Sequence, residues 1–397
     1  MSANASGNVL ILAFVLLVVM LGFGVVIPIM PYYVEDMGAG GAELGLLVAT
    51  YAIMRLICGP WWGSLSDRVG RKPILMVGIL GYGITMILFG LATELWMLFV
   101  FRALSGILSS ATSPTTMAYV SDSTTEAERG GGMGVLGAAI GVGTIIGPGV
   151  GGLMGGESLS LPFFIAGGMS FLALLLVWLF LPESLPVEAR RQAEDRQRFA
   201  ARDLWEAVRG PIGSLLVMAF LVSFAMTSFF GVFGLYALQK FGYGPERVGA
   251  MMMVVGLVSA VAQGVLTGPL TRRWGESRAI KITLLATALG FIAISLAKNF
   301  LTFLAAIGLF TLGTALLSPA VSALTSKRAT LEQGITMGLS NAFMSLGRIA
   351  GPALAGFSFD QNIEYPNLIG AGVMLAGFFA SLGWLKSADT PTPAPSP

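Results

Sequence analysis

The chain has no histidine and a single cysteine, Cys58, among 397 residues, and only 11% of it is charged. Without histidine there is no histidine-based metal site and no imidazole proton relay. A lone cysteine forms no intrachain disulfide, so no oxidising compartment is implied. A soluble domain carries about 25% charged residues, and this chain has too few to cover a water-exposed surface. The formal net charge of +2 is too small to imply a nucleic-acid partner. No nucleophile–base pair or metal-ligand cluster stands out, so neither an enzyme nor a cofactor is expected. What is present is apolar: 55% of the residues are hydrophobic and 53 are glycine. Glycine is enriched in membrane helices because it lets backbones approach closely.

Apolar runs of about 20 residues are needed to cross roughly 30 Å of hydrocarbon. Twelve occur: 9–32, 44–65, 73–92, 95–120, 132–155, 161–181, 212–238, 247–269, 279–297, 300–324, 333–357 and 366–386. The first is not read as a signal peptide. Leu10 to Ile27 is apolar throughout, no basic residue precedes Arg55, and no A-x-A cleavage site follows. The expected fold is all-α and integral to the membrane, with a six-helix bundle over 1–182 and another over 211–387. A charged cytoplasmic linker, 183–210, joins them. Its Leu204, Trp205 and Val208 share a helical face suited to the membrane surface. The Pro-rich end, 388–397, is expected to be disordered.

Basic residues orient the spans. With both termini in the cytoplasm, seventeen lysines and arginines fall in inner loops and the tail, and three, Lys240, Arg247 and Lys298, in outer loops. That is the positive-inside bias of a plasma-membrane protein. The halves also repeat at an offset near 205 residues. Gly63–Gly70 aligns with Gly268–Gly275, Ser113-Pro114 with Ser318-Pro319, and, one residue out of step, Gly147-Pro148 with Gly351-Pro352. Two parallel repeats describe a transporter that rocks around a central site. Gly132-Met-Gly134-Val-Leu-Gly137 matches G-x-G-x-x-G, but no strand precedes it and no βαβ unit surrounds it, so it is not a dinucleotide site.

The loop Gly63-Ser-Leu-Ser-Asp67-Arg68-Val-Gly70-Arg71-Lys72-Pro73 resembles the signature loop of the major facilitator superfamily. Gly143-Thr-Ile-Ile-Gly147-Pro148-Gly-Val-Gly151-Gly152 in the fifth span resembles the motif of its drug–proton antiporter branch. Arg102-Ala-Leu-Ser-Gly106 partly resembles a third family motif, with Ser105 where glutamine is usual, and Leu181-Pro-Glu-Ser184 also looks like that branch. The resemblance covers nearly the whole chain and is nearest to bacterial tetracycline and multidrug efflux pumps. It implies that Asp67 caps the start of the eleventh span across the half interface, where a carboxylate meets a positive helix end. It also implies contacts of Arg68 or Arg71 with Asp122 and of Asp67 with Arg129, as a cytoplasmic gate.

Three arginines fall inside spans: Arg55, Arg102 and Arg348. Intramembrane charge is costly and is a functional hypothesis by default. The resemblance places the first, fourth, seventh and tenth spans around a cavity. Met226, Phe229, Phe233 and Tyr236 share a face of the seventh span, a stripe that fits either packing or substrate contact. Ser109, Ser110 and Thr112, with Gln263 as a buried polar group, complete the cavity candidates. No acid lies well inside any span. Proton coupling therefore points to carboxylates near span ends, first Glu35 and Asp36, then Asp122 or Asp360. The reading is a monomeric secondary exporter of amphipathic small molecules in the inner membrane, using protons and surrounded by lipid. A lipid or glycolipid flippase and a non-transporting membrane sensor are the alternatives.

Overall fold

Proline and glycine decide where this chain bends and stops. The computed structural model describes residues 3–186, 212–328 and 333–385. The linker beyond residue 186, with Leu204, Trp205 and Val208, and the tail 388–397 lie outside the described residues. Among the described residues there are α-helices, one π-helical turn and no strand. In order they are α1 (Ala3–Asp36), α2 (Gly41–Val69), α3 (Arg71–Gly90), α4 (Leu95–Ser109), α5 (Thr112–Ser123), α6 (Glu126–Gly155), α7 (Leu161–Phe180), α8 (Gly213–Phe241) and α9 (Pro245–Val261). After the π turn (Ala262–Leu266) come α10 (Thr267–Leu296), α11 (Phe300–Lys327), α12 (Gln333–Gln361) and α13 (Tyr365–Trp384).

Ten described stretches are long and apolar enough to cross a membrane. One of them, Pro245–Leu296, holds 52 residues, far more than the ~20 that one crossing needs. Gly275 breaks it, with φ of 73°, a backbone state that residues with a Cβ rarely adopt. Counted as two, and with the 29-residue α12, which is long enough but not among the ten, the helices are consistent with the twelve spans expected. The fourth span, expected as one helix over 95–120, is divided at Ser110–Ala111 into α4 and α5. Pro114 has no N–H to give the carbonyl four residues back, so the ladder is interrupted there.

Contacts group the chain into two compact units, Met1–Arg198 with Val232–Gly256, and Phe199–Gly231 with Leu257–Pro397. The divide runs through α8 and α9. In the first unit α1 lies along α6 and α7, and α3 packs on α4 and α7. Leu12, Leu16, Leu75, Ile79, Tyr119 and Val177 belong to one buried apolar cluster of this unit. The second unit repeats the plan: α10 packs on α11 and α13. Its centre is aromatic, with Phe310 at 4.6 Å from Phe229 and 4.8 Å from Phe291 between ring centroids.

Lipid offers no hydrogen bonds, so polar groups inside spans must find partners in the protein. Many threonines bond back one turn: Thr116 to the Thr112 carbonyl at 2.8 Å, Thr283 to Ala279 at 2.7 Å and Thr325 to Val321 at 2.8 Å. Outside the cores, apolar side chains such as Leu153, Leu296 and Phe379 are exposed, as lipid-facing residues are. Trp61, Trp96, Trp178 and Trp384 are exposed near helix ends, where indoles favour the membrane interface.

Candidate functional site

Gly70 ends α2 with φ of 121° and starts α3 at once. The tight turn brings Arg71 back over the last turn of α2. Its guanidinium meets Asp67 at 2.6 Å and Asp122 of α5 at 2.9 Å, and donates to the Ser66 hydroxyl at 2.7 Å. Of the two arginines the resemblance offered for Asp122, Arg71 holds it. Arg68 is exposed. Arg129 is also exposed and donates to the Ser121 carbonyl at 3.2 Å. The start of the eleventh span, to which the resemblance assigns Asp67, adjoins residues 329–332, which lie outside the described residues.

A residue that sequence reasoning did not place in this cluster closes it. The Glu183 carboxylate accepts from the main-chain N–H groups of Arg71 at 2.9 Å and Lys72 at 3.2 Å. An anion there satisfies free donors of the first helical turn and meets the positive end of the α3 dipole. Lys72 Nζ donates to the Trp178 carbonyl at 2.9 Å and Tyr119 to the Pro182 carbonyl at 2.7 Å. Together these contacts tie α2, α3, α5 and the end of α7 into one piece.

The second repeat carries the same device with its signs exchanged. Beyond Gly275, Glu276 pairs with Lys327. Each partner lies 205 residues beyond its counterpart, Arg71 or Asp122. The repeat offset, applied to charged residues whatever their sign, would have found this pair.

Glycines give α6 two close-packing faces. Cβ atoms at Gly143, Gly147 and Gly151 would lie 2.9 Å, 2.6 Å and 2.8 Å from the carbonyl oxygens of Leu17, Leu21 and Val25 on α1. On another face, a Cβ at Gly152 would lie 2.8 Å from the Cα of Gly249 on α9. Pro148 lies between these contacts, inside the helix, where a missing N–H permits bending. In the second unit, Cβ atoms at Gly347 and Gly351 of α12 would meet the α8 backbone at Phe224, 2.8 Å and 2.7 Å away.

Arg102 is 4% exposed. Its guanidinium carbon sits 4.7 Å over the ring of Tyr51 on α2. Its Nε has no hydrogen-bond partner, nor do the buried hydroxyls of Tyr82, Ser105, Thr112 and Thr115. Ser109 is buried and shares a 3.1 Å hydrogen bond with the Tyr51 hydroxyl; Ser110 is buried too. Arg55 is half-buried one turn along α2, and Arg348 is exposed on α12.

The stripe on α8 is mostly interior: Phe229, Phe233 and Tyr236 are buried and Met226 half-buried. Tyr236 accepts from Lys240 at 2.7 Å. Gln263, expected as a buried polar group, is instead exposed. It falls on the π-helical turn, whose extra residue per turn rotates side chains relative to a regular α-helix.

Glu35 and Asp36 are exposed at the end of α1. They line a cavity of about 660 Å³ with Tyr32, Gly156 and Glu246. Glu246, on the first turn of α9, is a third carboxylate there that the sequence did not single out. Tyr32 crosses beside it, donating to the Tyr243 carbonyl at 2.7 Å.

Two repeats of membrane-crossing helices, each with a glycine break, an ion pair and a glycine-faced helix, define a polytopic membrane transporter built by duplication. The sequence matches the profile of the Major Facilitator Superfamily over residues 12–329 and again over 215–397. It is 34% identical to Multidrug resistance protein 2 of Bacillus subtilis over 374 residues, 94% of either chain. It is 27% identical to Quinolone resistance protein NorA of Staphylococcus aureus over 372 residues, 93% of this chain and 94% of that one. A bacterial homologue of the human lysosomal transporter Spinster, in an inward-facing and occupied conformation, shares the fold with a TM-score of 0.82. That match has 15% identity and covers 99% of this chain and 100% of the other. The chain belongs to the Major Facilitator Superfamily.

Proposed function

We propose that this protein is a proton-driven exporter of amphipathic small molecules, of the multidrug type, in a bacterial plasma membrane. The relatives' names, a multidrug and a quinolone resistance protein, support the substrate class. The observation that carries the mechanism is the two-sided glycine packing of α6. One face is seated on α1 backbone, and Gly152 meets Gly249 of α9 with no side chain between them. A contact made of backbone can part and re-form without repacking side chains, as alternating access by the two halves, 1–182 and 211–387, requires. The charge cluster at Asp67, Arg71 and Asp122 serves as the cytoplasmic gate, and both termini lie on that side. Glu35 and Asp36, joined by Glu246, receive the proton at the opposite face. The unit of function is the monomer, held in lipid.

The test is flux in proteoliposomes with an imposed pH gradient, on a panel of cationic, neutral and anionic amphiphiles. Accumulation that follows the gradient and collapses with a protonophore is the expected result. Flux indifferent to the gradient rules out antiport. A flippase on this fold is the second reading, favoured by Arg102, a buried cation with no carboxylate against it among the described residues. Headgroup movement between leaflets, without release of soluble substrate, would decide for it.

A further inference from the structure

A proton exchanger needs a group that gains and loses a proton within the membrane, and the side chains that usually serve are missing here. There is no histidine, and no acid lies well inside a span. The acids near Glu35 sit at a helix end, in an exposed cavity. They can collect a proton but cannot carry it inward.

One titratable side chain does stand at depth among charges. Tyr51 lies about 15 Å from the start of α2, half of a hydrocarbon layer of roughly 30 Å. Arg102 of α4 stacks over its ring at 4.7 Å. The charge of Arg55, one turn along α2, acts on the same hydroxyl. From α3, Tyr82 lies within electrostatic range of both Tyr51 and Arg102. From α1, the ring of Phe23 sits 6.0 Å away. The charged and titratable groups around Tyr51 are thus two arginines and a second tyrosine, with no carboxylate among the described residues. Arginine keeps its charge at every physiological pH. A cation buried without a counter-charge is held at a cost of several kcal/mol.

We propose that Tyr51 is the side chain that carries the exchanged proton, its phenolate acting as the counter-charge of Arg102 and Arg55. The proposal rests on the proton-antiport reading and names the group that performs it. When the phenol loses its proton to water, the cluster holds two positive charges and one negative. When a proton from the other face returns, the cluster holds two unbalanced cations in a medium of low dielectric. That change of one charge differs in energy between a dry and a wetted arrangement, and such a difference is what drives a conformational equilibrium. Ser109 suits both states. Its hydroxyl lies 3.1 Å from that of Tyr51, and either atom can donate: Ser109 to a phenolate, Tyr51 when it carries its proton. Tyr82 lacks such a relay. Its hydroxyl is buried without a hydrogen-bond partner, whereas Tyr51 is only half-buried.

Tyr51→Phe keeps the ring under Arg102 and removes only the ionisable oxygen. The purified variant, in proteoliposomes, should lose accumulation driven by a pH gradient and retain counterflow exchange of substrate. In weakly buffered detergent, wild type should release protons on substrate binding and Tyr51→Phe should not. Tyr82→Phe should release them as wild type does. A merely structural role for Tyr51 would lower exchange and accumulation together and leave proton release in place, and that result overturns the proposal. Gradient-driven accumulation by Tyr51→Phe overturns it too, with the antiport reading intact. Wild type that ignores the gradient ends both. Should Tyr51→Phe fail to insert, Ser109→Ala asks the same question: the pH dependence of accumulation must move, and an unmoved profile counts against Tyr51.

Discussion

Arg71 holds two carboxylates at once, and that division of one guanidinium makes its partners unequal. Asp67 sits one turn before it on the far side of the Gly70 turn, while Asp122 comes from α5. Losing Asp67 leaves Arg71 bound to Asp122 and α3 still capped by Glu183. Asp67→Asn should therefore insert and fold, yet lose most transport if that carboxylate also serves the gate between halves. The check is size-exclusion behaviour alongside flux; full flux from well-folded Asp67→Asn removes the gate role. Arg71→Gln is a harsher change. It strips charge-assisted hydrogen bonds worth about 1.5–3 kcal/mol each and leaves two carboxylates facing each other, so its thermal midpoint should fall well below that of Asp67→Asn. Little of this was readable in advance. The resemblance grouped Asp67, Arg68, Arg71 and Asp122, but which arginine turns inward depends on the φ of Gly70. Glu183 entered only as part of a resemblance, because 112 residues separate it from Arg71.

Helices in this chain are joined by backbone approach and by ion pairs at their ends, and each kind of joint makes its own prediction. A methyl at Gly152 would be driven into Gly249 of α9, and overpacking of this kind costs about 1–3 kcal/mol. Gly152→Ala should part α6 from α9 and open the cavity beside Glu35. In a Cys58→Ala background, a cysteine at Gly155 should then react faster with an impermeant maleimide than it does with Gly152 present. Unchanged labelling would show that α9 yields instead. The pair Glu276–Lys327 is more exposed than its counterpart, with Lys327 64% accessible. Such a pair is worth about 0.2–1 kcal/mol. Glu276→Lys or Lys327→Glu alone should lower the thermal midpoint slightly, and the two together should restore it, since the opposite arrangement already works at Arg71 and Asp122. The spans themselves were legible because lipid demands long apolar helices. The break at Ser110 and the π turn at Gln263 were not, because both depend on which carbonyls go unpaired. The Glu276–Lys327 pair escaped notice because its signs are reversed, and alignment by residue type hides that.

At the scale of the whole molecule the spans carry charge of one sign. Arg55, Arg102 and Arg348 lie within helices, and the acids gather at helix ends, where Glu43 accepts from Gly40 N–H at 2.9 Å and Glu35 and Asp36 face an exposed cavity. That asymmetry was plain from the order of residues along the chain, because span depth follows from counting. Its meaning was not, because an arginine that faces another helix contributes little to a substrate's surroundings. The structure separates the three: Arg102 is sealed under Tyr51, whereas Arg55 is half-buried and Arg348 exposed. A lipophilic dication entering such a field finds like charge and no acid inside the spans to offset its lost hydration. A neutral, zwitterionic or anionic amphiphile can instead accept hydrogen bonds from a guanidinium. The preferred substrates should accordingly be carbonyl-rich or anionic rather than dicationic. Of the three arginines, Arg55 is both accessible and close to Tyr51, so Arg55→Gln should weaken export of anionic compounds more than of neutral ones. A tenfold loss corresponds to about 1.4 kcal/mol, within reach of one charge-assisted hydrogen bond at about 1.5–3 kcal/mol. Side-by-side efflux of matched anionic, neutral and dicationic dyes by wild type and Arg55→Gln measures it directly. Equal export of all three by both proteins, or a wild type that favours the dication, would place the field of these arginines elsewhere than on the substrate.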